Sequence, residues 1–94
     1  MSSAFFDSER TVQIVNRLGL HARPAAEFVK LANTFRSEIR VRREDTEVNG
    51  KSIMGVMMLA AECGSEITIR ASGEDAEEAL ERLAELVAGR FGET

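Results

Sequence analysis

The chain has no tryptophan or tyrosine, and only one cysteine, one proline and one histidine among its 94 residues. With aromatic side chains confined to five phenylalanines, there is little with which to stack the bases of a single-stranded nucleic acid. The lone cysteine, Cys63, excludes an internal disulfide and any multi-cysteine metal site, so a reducing, cytoplasmic setting is expected. Cys63 itself reads as a small, buried or half-buried residue at a helix end. No stretch approaches the ~18–20 apolar residues of a membrane span, so no membrane insertion is expected. No basic and apolar N-terminal segment marks a secretion signal. Without a second histidine there is no paired-imidazole metal site, and without a glycine-rich loop there is no cradle for a nucleotide. Neither cofactor nor metal is expected.

What remains is a chain with apolar residues at 44% and a formal net charge of −4, sized for one domain with one small core. The charge is uneven. Residues 1–61 carry nine Lys/Arg against seven Asp/Glu, and residues 62–94 carry three against nine. Arg36, Arg40, Arg42 and Arg43 form one basic group, read as a solvated face, and Arg17, Arg23, Lys30 and Lys51 form a looser one. The acidic second half argues against a nucleic-acid partner.

Periodicity predicts β-α-β-β-α-β-α. Met1–Arg10 reads as a loose extension that Phe5 and Phe6 could tack down, with a domain over 11–90. Thr11–Asn16 alternates as a strand with Val12 and Ile14 on one face, and Arg17–Leu20 is a loop broken by Gly19. From Ala22 to about Phe35, Ala25, Phe28, Val29, Ala32 and Phe35 keep helical spacing. Ser37–Arg43 and Thr46–Val48 read as strands, the second closed by the turn signal Asn49–Gly50. Ser52 then opens a helix of about nine residues. Ser65–Ala71 is a fourth strand with Ile67 and Ile69 inward. The last helix buries Ala76, Ala79, Leu80, Leu83 and Val87, with Glu74, Asp75, Glu77 and Glu78 at its positive end. The expected class is α+β: a four-stranded antiparallel sheet with three helices on one face.

The octapeptide "GLHARPAA", Gly19 to Ala26, holds the only histidine and the only proline. If His21 caps the helix, Ala22, Arg23 and Pro24 fill its first turn, where a proline is tolerated because that N–H has no helical partner. Free amides and the positive dipole end would then disfavour a cationic imidazole and favour an arriving anion. Arg23 could add a charge-assisted hydrogen bond to that anion, with Arg17 near. On placement alone, a surface histidine serving only as an indifferent cap is the more usual reading. A site that accepts phosphate yet has no nucleotide cradle would take it from another protein.

"GLHARPAA", followed about 30 residues later by "NGKSIMGVMML", resembles HPr, the histidine-containing phosphocarrier family of the bacterial phosphotransferase system, from about Thr11 to Val87. The resemblance implies an open-faced β-sandwich and a carrier rather than an enzyme. It implies that His21 takes a phosphoryl group on Nδ1 from Enzyme I, with phosphoenolpyruvate as ultimate donor, and passes it to a histidine of an EIIA domain. Arg23 and the backbone of Ala22 match the phosphate-binding positions, and Pro24 the helix-opening proline. Ser52 matches the regulatory serine, target of HPr kinase/phosphorylase where that enzyme exists. Serine is also a favoured N-cap, worth about 1 kcal/mol, and the two roles are compatible. Arg17, Leu20, Ala22, Ile53, Met54 and Met57 are the expected docking residues, although methionines at helical spacing also suit a core. Leu18, where well-known sugar-system members are polar, and the tail "RFGET" depart from the family pattern.

A nitrogen-branch or regulatory paralogue, acting through protein contacts rather than sugar transport, fits the same motifs. A purely regulatory module without phosphorylation would be expected to lack His21. A ligand-binding sandwich without covalent chemistry leaves the conjunction of His21, Arg23 and Pro24 unexplained. A monomer is expected for a carrier that docks transiently.

Overall fold

A computed structural model describes residues 8–93. Strand β1 (Ser8–Gln13) is followed by helix α1 (Ala22–Ala32), strands β2 (Glu38–Arg43) and β3 (Thr46–Asn49), helix α2 (Ile53–Met58), strand β4 (Glu66–Ser72) and helix α3 (Ala76–Ala88). A short turn of 3-10 type, Arg90–Gly92, ends the fold. The four strands form one antiparallel sheet in the order β1-β4-β2-β3. This is the antiparallel sheet with helices on one face that the periodicity predicts, and the open-faced β-sandwich that the resemblance implies.

Alternation does the sorting. Ile39 and Val41 on β2 and Ile67, Ile69 and Ala71 on β4 point to the helices and are buried. Ala25, Phe28, Val29 and Ala32 on α1 and Ala79, Leu80, Leu83 and Val87 on α3 cover them from above. The opposite sheet face is open and charged. There Arg70 donates to Glu47 (2.9 Å) and lies 3.4 Å from Glu9, while Arg40 is 3.5 Å from Glu47. Burial alone would raise the Glu47 carboxyl, but the two guanidinium groups outweigh it and hold the group below its ordinary range. Arg40, expected to be simply solvated, is a member of this ladder.

Several element boundaries differ from expectation, and β1 ends at Gln13 rather than Asn16. Strand β1 begins at Ser8, not Thr11, because β4 offers partners as far as Ala71; the segment expected to be loose up to Arg10 thus gives its last three residues to the sheet. Phe5 and Phe6 lie outside the described residues. Helix α1 stops at Ala32, and the amides of Thr34 and Phe35 turn back to the carbonyls of Leu31 and Ala32, which still buries the Phe35 ring. Helix α2 stops at Met58 because Ala60 takes a left-handed conformation (φ 51°). Cys63, expected to be at least half-buried, is exposed, since it lies in the turn beyond that early stop.

Asp75 fastens the α1–β2 loop to the start of α3. It sits at the helix cap position yet makes no cap bond. Instead its carboxylate accepts from the backbone amides of Arg36 and Ser37 (both 2.9 Å) and from the Ser37 hydroxyl (2.5 Å). The Ser37 hydroxyl first, and the Arg36 amide next, hold the Asp75 carboxyl down from 3.8 to about 2. A carboxyl depressed in the folded state stabilises fully above its unfolded value, and that stability is lost as protons bind to the native protein. Asp75 should therefore lose its contribution as pH falls from 3.8 towards about 2. Urea unfolding of wild type and Asp75→Asn across this range should show the wild-type advantage shrinking with acidity. A constant difference would mean that the contacts are not carried by the ionised group.

Candidate functional site

The loop from Asn16 to His21 is built by hydrogen bonds that the side chains dictate. The Gly19 amide donates to the Asn16 carbonyl (3.1 Å), and the buried Asn16 side-chain amide donates to the Gly19 carbonyl (2.8 Å). Gly19 has φ +70°, and a Cβ there would come within 2.5 Å of the Ala61 carbonyl oxygen. Only glycine satisfies both conditions. The next amide, of Leu20, donates to that same Ala61 carbonyl at 2.8 Å. Leu20, expected to dock partners, is instead 4% exposed and belongs to the core, because this bond turns its side chain inward.

His21 is the N-cap of α1, with extended backbone (φ −76°, ψ −173°), and its ring makes no capping hydrogen bond. Its carbonyl accepts the first helical bond, from the Ala25 amide (3.0 Å). The amides of Ala22 and Arg23 therefore precede the helical ladder, and Pro24 has none to satisfy. Pro24 is buried, whereas Ala22 and Arg23 are exposed. His21 shares a surface pocket with Arg17, Leu18, Arg23, Gly92 and Glu93. Two expected residues, Arg17 and Arg23, are thus brought to the imidazole.

Glu93 was not anticipated. Its carboxylate oxygens lie 3.2 Å from His21 Nε2, and Oε1 also accepts from the Asn16 amide at 3.1 Å. The tail reaches this place through Arg90, Phe91 and Gly92, with φ of 60°, 54° and 78°. Left-handed backbone costs about 1–2 kcal/mol for each residue that bears a Cβ. Burial of the Phe91 ring in the core offsets it. One sequence signal was available: a phenylalanine in an otherwise polar tail.

Ser52, Ile53, Met54 and Met57 lie on α2, outside that pocket. The Ser52 hydroxyl accepts from the Gly55 amide (3.1 Å), so it is a working cap. Met54 is 74% exposed, and Ile53 and Met57 are exposed as well, whereas Val56 and Leu59 fill the interior. Met58, at 71%, and Leu18, at 70%, extend the exposed apolar set beyond the expected residues. Met58 stands one helical turn from Met54 on the same outward face of α2. Among the described residues no three His, Cys, Asp or Glu side chains cluster as metal ligands, and no helix is long and apolar enough to cross a membrane.

The molecule is a small α+β open-faced sandwich with a half-exposed imidazole at a helix start and two arginines lining the same pocket. Residues 8–89 match the family model described as the PTS HPr component phosphorylation site. The phosphocarrier protein HPr of Cupriavidus necator is 48% identical over 85 residues, 90% of this chain and 96% of that protein. An HPr crystal structure from Thermoanaerobacter tengcongensis superposes with a TM-score of 0.89 at 46% identity, covering 93% of this chain and 98% of that one. Crh of Bacillus subtilis, whose crystal structure is described as a swapped dimer, gives 0.72 at 48% identity, with 84% and 91% covered. The chain belongs to the HPr family of phosphocarrier proteins of the phosphotransferase system.

Because the site hangs on Gly19, Gly19→Ala should destabilise the fold by about 2 kcal/mol or more, from left-handed backbone strain plus the clash with Ala61. Urea unfolding measures it. A loss under about 0.5 kcal/mol, ordinary for a surface change, would show that the loop adapts.

Proposed function

We propose that this protein accepts a phosphoryl group on His21 Nδ1 from phosphorylated Enzyme I and delivers it to a histidine of an EIIA domain, in the cytoplasm. The observation that carries the reading is the His21 ring itself: it stands at the start of α1, is left unused by the cap, and opens to a pocket with Arg17 and Arg23. In the transfer the P–N bond of the donor breaks as the bond to Nδ1 forms, and no proton leaves Nε2. Little machinery is required, since the bond exchanged is of the same kind on both sides and positioning with charge stabilisation suffices. The amides of Ala22 and Arg23 and the guanidinium of Arg23 face the charge of the arriving group. Both arginines are exposed rather than caged, which suits a group that must leave again.

Ile53, Met54 and Met57, extended by Met58, form the docking surface in this reading, with Arg17 and Ala22 at its polar side. Flexible methionine suits several partners taken in turn. Ser52 is a second, regulatory phosphorylation site for an HPr kinase/phosphorylase. A phosphate there adds about −1.5 to −2 charge at a helix start, altering docking rather than unfolding α2. The protein works as a monomer that docks on each partner in succession.

Incubation with Enzyme I and phosphoenolpyruvate should give an acid-labile, alkali-stable adduct of about +80 Da, one phosphoryl group. His21→Ala should abolish it and Ser52→Ala should leave it. Arg23→Ala should slow transfer on the order of tenfold or more with little change in melting temperature. An adduct that survives His21→Ala would overturn the reading.

A further inference from the structure

The described contacts of the imidazole are one-sided. Nε2 faces both carboxylate oxygens of Glu93 at 3.2 Å, while Nδ1 takes no hydrogen bond among the described residues. A carboxylate can only accept, so the ring nitrogen facing it carries the proton. That leaves the lone pair on Nδ1.

The carboxylate is itself held. The Glu93 side chain is only 19% exposed. Its Oε1 accepts from the amide of Asn16, whose side chain is fully buried and also shapes the Gly19 turn. Behind it, the left-handed turn at Arg90–Gly92 is fixed by the buried Phe91 ring and by the Glu93 amide donating to the Arg90 carbonyl at 2.7 Å. Residues with a Cβ adopt such backbone only where their surroundings compel it. A tail that merely frayed on the surface would not hold three consecutive residues there. The turn places one functional group, and that group meets the one histidine.

We propose that Glu93, seated by Asn16 and anchored through Phe91, is a positioning residue that fixes the Nε2–H tautomer of His21 and so presents the Nδ1 lone pair to the phosphoryl donor. This rests on reading His21 as the acceptor. When Nδ1 attacks, the P–N bond of the donor histidine breaks, the new P–N bond forms, and the ring of His21 gains positive charge shared with Nε2–H. Glu93 faces that charge directly, as the buried carboxylate does behind the imidazole of a hydrolase triad. No proton need move for the group to arrive or to leave.

Glu93→Ala removes the acceptor. Glu93→Gln keeps the shape but offers an amide that either accepts from Nε2 or donates to it. Nitrogen-15 NMR of the ring at mildly alkaline pH reads the tautomer directly, and the rate of phosphorylation by Enzyme I with phosphoenolpyruvate reads the consequence. In wild type the Nε2–H form should dominate. Both variants should raise the Nδ1–H form and slow phosphoryl capture on the order of tenfold, the usual loss on removing a group that orients a histidine. Wild-type tautomer balance in both variants, or wild-type rates in both, overturns the proposal while leaving His21 as the acceptor. Slower capture with an unchanged tautomer also overturns it, since the carboxylate would then act only through structure. A wild-type protein that takes no phosphoryl group sinks the reading of the site itself.

Discussion

The site depends on one backbone carbonyl. Ala61, just beyond α2, accepts the amide of Leu20 and lies so close to Gly19 that no side chain fits between them. That contact ties the loop before α1 to the end of α2, elements about 40 residues apart in the chain. It drives Leu20 into the core and leaves the next residue, His21, outside it. Turning one residue inward and the next outward is what an extended backbone does, and the extended cap conformation of His21 continues that alternation up to the helix. The half-exposure of the imidazole is therefore set by packing behind it.

The same architecture separates two kinds of work at helix starts. Ser52 caps α2 with its own hydroxyl, whereas His21 caps α1 by backbone geometry alone and keeps its ring out of the cap. A serine in place of His21 would give α1 a better cap, worth about 1 kcal/mol. The chain forgoes that stability and keeps an imidazole outside the cap, with two amides beside it. Local rules broken at a functional position, with the cost met elsewhere in the fold, are common where chemistry sets the residue. The left-handed turn at Arg90–Gly92 is a second case, its strain met by the Phe91 ring.

How much of this was legible follows from the range of each interaction. The faces of α1 and α3 were readable because burial there follows the 3.6-residue period, and Ile39, Val41, Ile67 and Ile69 because it follows the strand period. His21, Arg23 and Pro24 were readable because helix-start chemistry is local. The start of β1 at Ser8 was not, since Glu9 and Arg10 have no apolar signal and are strand only because β4 pairs with them. Leu20 reads equally well as patch or core until Ala61 is placed against it. Cys63 was misjudged because the left-handed Ala60 ends α2 early, and nothing nearby in sequence announces that. Glu93 lies 72 positions from His21, and no periodicity reaches so far.

A carrier must hold its cargo less firmly than a binding protein would, and the composition of the pocket sets that balance. In the proposed reading, two exposed arginines and two helix-start amides would provide attraction, and Glu93 and the open side of the pocket would limit it. Exposed charges interact through high dielectric and contribute roughly 1 kcal/mol or less each, so neither arginine alone can trap a phosphoryl group. Their effect grows when a partner covers the pocket and excludes water, since the same charges then act in a lower dielectric. The grip would thus be strongest during docking, when transfer occurs, and weaker in the free protein. The exposed methionines of α2 would fit that scheme as the proposed docking surface: their apolar area would bring the partner down, and its arrival would strengthen the electrostatics of the pocket. Affinity for partner and affinity for phosphate would in this way be coupled through desolvation.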